Sequence, residues 1–415
     1  GDTFTIPSGA TINNQGTATN FGATGAASWT TTVKTSGFTA VAGEGYFVNT
    51  TGGAVSVNLP AGTAGAVVAF KDYLNTFDTN AVTLVQNGSD KIGGSTENAK
   101  LVEEGLAVTL VFIDSTRGWL ITDSGLQSEA QTAAFVAATG GNTVSTCGNW
   151  KIHTFTSPGT FCVSAAGNAC GSNKVDYMVV AGGGSGGQFY GGGGGAGGFR
   201  ESSPAPGSDW TDSPLGNPGN ARPVSVQGYP ITIGAGGAGQ PTSYTPGNDG
   251  TTSVFSDITS AGGGGGGGAP PSGNSPGRAG GSGGGGAYTG ASGGAGNTPP
   301  VSPPQGNPGG TPDSNSSSGG GAGAAGSNSN SAAGGTGVGT GINPACTVGT
   351  PGPSGPLRYF GGGGASAGGG GAAVGGGGPR DSSPEAGVTN TGGGGAGNTG
   401  TSGGSGIVIL RYKYQ

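Results

Sequence analysis

The chain has 415 residues, of which glycine supplies 103 and proline 26, while only 8% are charged and the formal net charge is −6. That much glycine and proline makes low-complexity disorder the default expectation, but disordered chains are usually held open by charge, and this one is not. The acidic balance leaves no basic stripe for phosphates and excludes nucleic acid as a partner. No run of about 18 apolar residues offers a membrane span, and no basic-then-apolar amino terminus reads as a signal peptide.

The length accommodates two or three domains. Residues 1–34 open with GDTFTIPSGATINNQGTATNFG, where apolar and polar residues alternate between turn signals. They read as a shaft or strand-repeat segment, or as the exposed end of a longer chain. Residues 35–123 read as a β module. Val55, Val57 and Leu59 alternate and Pro60 closes that strand; Val67 to Phe70 begins the next. Asn87-Gly88 in VTLVQNGSDKI predicts a hairpin, and VTLVFID with WLITD predicts a second. Because VTLVFID is apolar on both faces, it calls for a two-sheet sandwich or for burial against neighbouring subunits.

Residues 124–138 form the connector. Leu126, Ala130, Ala133 and Ala134 recur at roughly helical spacing, the one helical pattern in the chain. Residues 139–415 read as a glycine-rich β domain. Framework strands are expected in KIHTFTSPGTFCVS, KVDYMVVAGGG, VSVQGYPITIGAGG, TSVFSDITSAGGGG and GIVILRYKYQ. Several run straight into polyglycine, so the glycine tracts continue the sheets as loops that share one end of the domain. The fold class is therefore all-β: small β modules followed by a C-terminal β-sandwich-like framework that carries long glycine-rich loops.

The tracts lack a strict Gly-X-Y period, which excludes a collagen triple helix. Flexible linkers are one reading. The other is a set of polyglycine II helices, extended and three residues per turn, packed closely enough to hydrogen-bond to one another's backbones. The residues that interrupt the glycine must sit at bends or tips: Phe189, Tyr190, Phe199, Trp210, Tyr244, Tyr288, Tyr359 and Phe360, with Arg200, Arg278, Arg358 and Arg380 nearby. Rings and guanidinium groups stack on sugars or anchor in a receptor protein, which makes these twelve the candidate receptor-binding set. The alternative is that the rings cap and fill the bundle.

Little else carries chemistry. Strings such as GGGGGAGGF satisfy a dinucleotide-binding pattern by abundance alone. His153, the single histidine, reads as a framework residue, and no cofactor or metal is expected. Of the four cysteines, Cys162 and Cys170 are a candidate disulfide across a hairpin; buried thiols are the other reading. Scattered acids such as Asp176 and Glu201 leave a carbohydrate depolymerase as the one enzyme class worth carrying. The chain reads as a non-enzyme.

Several phrases resemble known sequences. GDTFTIPSGATI is similar to the strand repeats of phage fibres, and the stretch from GEGYFVNTTGGAVSVNLPAG to VTLVFIDSTRGW to their recurring β module. KIHTFTSPGTFCV, VDYMVVAGGG, YPITIGAGGAG, TSVFSDITSAGGGGGG and GSGIVILRYKY resemble in order the framework of glycine-rich C-terminal domains of bacteriophage tail fibres, especially of marine phages. The resemblance implies a homotrimer in the virion, contacts with other virion proteins, and attachment through the tip to a host-cell receptor, a polysaccharide or an outer-membrane protein. It implies neither a catalytic residue nor membrane insertion. The competing readings are a capsid or head fibre without a specific receptor, and a bacterial extracellular filament subunit. Trimerisation has an independent rationale, since a slender β module with two-faced apolar strands must bury its edges against copies of itself.

Overall fold

The computed structural model describes residues 27–126, 133–205, 207–242, 244–268, 275–345, 347–380 and 384–415. The chain divides into two compact units between residues 131 and 132. All regular structure among the described residues is β, and no helix is long and apolar enough to cross a membrane.

In the first unit the chain alternates between two sheets. Strands β1 (Ser28–Lys34), β3 (Glu44–Val48) and β5 (Val67–Asp72) lie side by side in parallel. So do β2 (Phe38–Thr39), β4 (Val55–Asn58) and β6 (Val82–Val85) on the facing sheet. The result is three flattened coils. Antiparallel strands finish both sheets: β7 (Ala99–Leu101) on β6, and β8 (Leu106–Phe112) then β9 (Trp119–Leu126) on β5. Val55, Val57 and Leu59 point inward as their alternation requires, meeting Tyr46, Phe70 and Leu110 from the other sheet in one core. This is the two-sheet answer to the apolar VTLVFID strand: Val108, Leu110 and Phe112 face the core, Thr109 and Val111 are half-buried, and Ile113 is exposed past the end of β8.

The β8–β9 hairpin forms as expected, with Asp114 accepting the amides of Thr116 and Arg117 at 2.8 and 2.7 Å and Gly118 turning at φ +74°. The Asn87-Gly88 hairpin does not. Gly88 does turn at φ +57°, but the strand that pairs with β6 is β7, eleven residues further on. β1 pairs with β3, so the segment assigned to a shaft contributes a strand to the module; residues 1–26 lie outside the described residues. The helical expectation fails where it can be followed. β9 runs to Leu126, where Leu106 and Leu126 close its ladder with β8, and β10 begins at Val136. Residues 127–132 lie outside the described part.

The second unit is built on two sheets, antiparallel throughout except where β16 joins β15 in parallel. One orders β10 (Val136–Thr139), β13 (Gly159–Ala166), β18 (Gly228–Thr232), β19 (Ser253–Phe255) and β20 (Ile258–Ser260). The other orders β11 (Thr143–Cys147), β12 (Trp150–Phe155), β24 (Ile407–Lys413), β14 (Lys174–Val180), β15 (Phe199–Ser202) and β16 (Gly216–Asn217), with β17 (Arg222–Pro223) also on β14. A small third sheet joins β21 (Val338–Thr340), β23 (Arg358–Phe360) and β22 (Thr350–Pro351). The central strands β14 and β24 are covered on both sides, which is why they read as continuous apolar runs. Val175, Tyr177, Val179, Val408, Leu410 and Tyr412 face one core. Met178, Val180, Ile407 and Ile409 face the other, with Phe199, Trp210 and Phe360.

The glycine tracts leave these strands and pack by backbone alone. Six successive amides, 183–188, donate to three tracts in rotation at 2.8–3.0 Å. Gly183 and Gly186 reach Gly404 and Thr401; Gly184 and Gly187 reach Gly195 and Gly192; Ser185 and Gln188 reach Asn248 and Thr245. The acceptor tract changes at every residue and returns at every third. Residues 181–187 and 191–199 are buried, so the peptide groups that burial would orphan are paired between tracts. A side chain has no room there: a Cβ on Gly194 would overlap the carbonyl oxygen of Gly184.

Candidate functional site: an aromatic ridge at the tract reversals

Where tracts reverse, the chain needs a residue in the left-handed region, and glycine or asparagine is the usual occupant. Here rings do it. Phe189 (φ +47°) and Tyr190 (φ +53°) join the tract 181–188 to 191–198; Tyr244 (φ +67°) and Tyr288 (φ +64°) occupy two further reversals. Left-handed backbone at a bulky residue costs on the order of 1–3 kcal/mol and persists only where the surroundings impose it. Four such rings in one bundle therefore demand a shared reason.

Lateral hydrogen bonds put the reversals at one end. Gln188 N–H donates to Thr245 O at 3.0 Å, Phe189 N–H to Asn398 O at 2.8 Å, and Tyr288 N–H to Asn315 O at 2.7 Å. The rings form a chain. Tyr244 and Phe189 have centroids 4.8 Å apart, Phe189 and Tyr190 5.1 Å, and Tyr190 and Tyr288 6.4 Å. Phe189 and Tyr190 are each 42% exposed and Tyr244 39%; Tyr288 is half-buried. Asn398 (φ +79°) is the peg beneath them, accepting Phe189 N–H on its carbonyl and Tyr190 N–H on its side-chain oxygen at 2.9 Å. Gln188 Nε2 reaches both Thr399 O, at 2.8 Å, and Gln240 O, tying three reversals together.

The other eight predicted residues lie elsewhere. Phe199, Trp210 and Phe360 are corrections: all three are buried in the second core of the framework, where apolar strands β14 and β24 need covering. The Trp210 indole N–H donates to Asp176 at 3.0 Å. Arg200 is half-buried on β15 opposite Val179. Arg358 Nε and Nη2 donate to the carbonyls of Val348 and Gly349 at 2.6 and 2.9 Å, and the Tyr359 ring lies against Gly339 and Gly352. Arg278 sits on the bundle flank, 3.3 Å from Asp249. Arg380 belongs to the reversal end, since Gly362 and Ala365 donate to Gly375 and Gly378, on the tract that borders that of Asn398 through Gly378 N–H to Gly394 O at 2.8 Å. Sequence reading passed over Asn398 and Gln188, although Asn398-Thr-Gly400 between two tracts is a turn signal of the kind that marks a reversal.

Among the described residues of the second unit, the buried titratable groups belong to the framework. Desolvation pushes the Asp176 carboxyl up to about 6 against the pull of Trp210, Ala205, Ser202 and Ser208. The fully buried Glu201, which accepts Ser213 N–H at 2.8 Å, is pushed up to about 8. His153 is buried between Tyr412 and Phe161, its Nδ1 2.6 Å from Gly140 O, and burial lowers its pKa. No metal-ligating cluster occurs among the described residues. The disulfide is a further correction: Cys162 and Cys170 are free and exposed, as is Cys147. Cys162 lies opposite Thr139 on β13, whereas the turn carrying Cys170 is bonded to Ala134, past the other end of the β10–β13 ladder. Cys346 lies outside the described residues.

Comparison with protein families gives two matches. Residues 6–125 match the N-terminal part of the Bacteriophage T4 gp9/10-like protein. Residues 155–413 match a family described as Glycine-rich domain. No curated protein matches the chain. The first match likens the first unit to a structural, fibre-like protein of a phage virion. The second covers more than half of the sequence, from Phe155 in β12 to the last residue of β24, and on that ground the chain belongs to the glycine-rich domain family.

Proposed function

We propose that the chain is a non-enzymatic fibre of a bacteriophage virion, a homotrimer, whose glycine tracts form three-residue-per-turn helices that carry an aromatic ridge to the host-cell surface. The observation that carries the attachment role is the quartet Tyr244, Phe189, Tyr190 and Tyr288, exposed or half-exposed rings held in left-handed backbone at the bundle's reversals. Rings in a strained, preorganised conformation lose little freedom on binding, and large aromatic side chains dominate contact energies. The glycine beneath serves as scaffold, and its period-three hydrogen bonding is what packed helices of that geometry need. Trimerisation is supported by the large apolar residues that the first unit leaves exposed at its sheet edges, Trp29 on β1 and Ile121 on β9. A trimer on a virion with several fibres also converts weak single contacts into firm attachment.

The test is competition. Purified full-length chain should coat cells of the strain that propagates the phage and reduce infection in a dose-dependent way. A folded chain that neither binds nor competes would end the attachment reading while leaving a purely structural fibre.

A further inference from the structure

The chemistry around the ridge narrows its partner. The reversals that surround the rings are Gln188-Phe-Tyr, Gln240 to Thr245, Tyr288-Thr-Gly290, Asp313-Ser-Asn315 and Asn398-Thr-Gly400; of these residues only Asp313 is charged. Among the described residues no free guanidinium faces the rings: Arg278 is paired with Asp249 on the flank, and Arg380, on the tract next to that of Asn398, has a partner of its own. Without a fork of cationic donors the ridge lacks the means to recognise carboxylate or phosphate, and it lacks the arginine that commonly anchors protein hot spots. What it offers instead are neutral hydrogen-bonding groups. The hydroxyls of Tyr190, Tyr244 and Tyr288 and the side-chain nitrogen of Asn398 have no partner among the described residues. They lie beside ring faces whose negative quadrupole attracts the C–H faces of a sugar ring.

Resting on the attachment reading above, we infer that the ridge binds a neutral, hydroxyl-rich glycan chain at the host surface. Sugar rings stack along Tyr244, Phe189, Tyr190 and Tyr288, and the free phenols and Asn398 exchange hydrogen bonds with sugar hydroxyls.

The experiment uses fluorescently labelled full-length chain on host cells, read by flow cytometry. Periodate, which cleaves vicinal diols, should abolish binding, and protease treatment of the cells should leave it intact. The neutral polysaccharide fraction of the same cells should compete, and acidic alginate should not. Phe189→Gly, which removes a ring where glycine suits the backbone, should weaken binding about tenfold. Binding lost to protease and retained after periodate would overturn the glycan inference in favour of a protein receptor, with attachment intact; competition by alginate as strong as by the neutral fraction would overturn its neutrality. A Phe189→Gly, Tyr190→Gly double variant that binds like wild type would overturn the ridge as the glycan-binding surface, with attachment by the chain intact. The cell-treatment arms use wild-type chain, so they decide the ligand whatever the variants do to folding.

Discussion

The first unit and the glycine bundle bury their backbones by opposite means. In the first unit, side chains from two sheets meet, so that Tyr46, Phe70, Leu84 and Leu110 exclude water and the strands are spaced by what they carry. In the bundle the tracts approach until the peptide groups of one meet those of three others, and side chains are what must be absent. The comparison teaches that glycine here is a packing residue. Its usual entropic cost is offset by saturation of the hydrogen bonds, and its lack of a Cβ is the condition for that saturation.

The sharpest way to break the comparison is to truncate a side chain where side chains matter. Leu110→Ala, fully buried between the sheets of the first unit, should cost about 2–5 kcal/mol of that unit's stability in urea unfolding. The reciprocal change adds a single methyl in the bundle. Gly194→Ala places a Cβ on the Gly184 carbonyl and should destabilise the second unit by about 3 kcal/mol, although alanine for glycine is stabilising at many sites. Hydrogen-exchange protection of the amides at 184, 194 and 195 should fall with it. If Gly194→Ala is neutral, the bundle is not held by backbone contact.

A third region, the framework, sharpens the contrast because its second core buries carboxyls. Both Asp176 and Glu201 have folded-state pKa values raised by burial, to about 6 and about 8. The folded chain therefore holds protons that the unfolded chain releases. The associated stability is fully present below about pH 4 and is lost as pH rises through about 6 and then about 8. Between pH 5 and pH 9 the loss should amount to several kcal/mol, read as a falling urea midpoint. Glu201→Gln should flatten the upper part of that fall. A wild-type midpoint that holds steady across this range would mean that the carboxyls are not buried as described.

How much of this was legible beforehand depended on what each signal reports. Alternation in VSVNLP told which residues of β4 face inward, but period two says nothing about which strand lies alongside, so the parallel coils of the first unit were out of reach and Asn87-Gly88 misled. The framework strands were readable because β14 and β24, covered on both faces, are apolar at consecutive positions. Among the rings that interrupt the glycine, sequence could not separate reversal from core. In retrospect, the local text differs. Phe199 and Phe360 stand where glycine meets a strand, in FRES and RYF, whereas Phe189-Tyr190 and Tyr288 have glycine tracts on both sides. A ring between two tracts turns the chain; a ring between tract and strand enters the core.

That distinction bears on the smallest expected effect. Phe189 contributes little to packing, being exposed and touching mainly Tyr190 and Tyr244, yet its backbone is left-handed at φ +47°. Glycine adopts that conformation without strain, so Phe189→Gly relieves it; against this stand the added entropy of the unfolded chain and the loss of two ring contacts. The balance should leave the second unit more stable by about 1 kcal/mol, measured as a rise in the urea midpoint at constant slope. Phe199→Gly, the matched change at a buried ring, should instead cost several kcal/mol, at least the roughly 3–5 kcal/mol of truncating a core phenylalanine. A stabilised Phe189→Gly chain that binds cells less well would mean that the ridge holds its strain for recognition and not for folding.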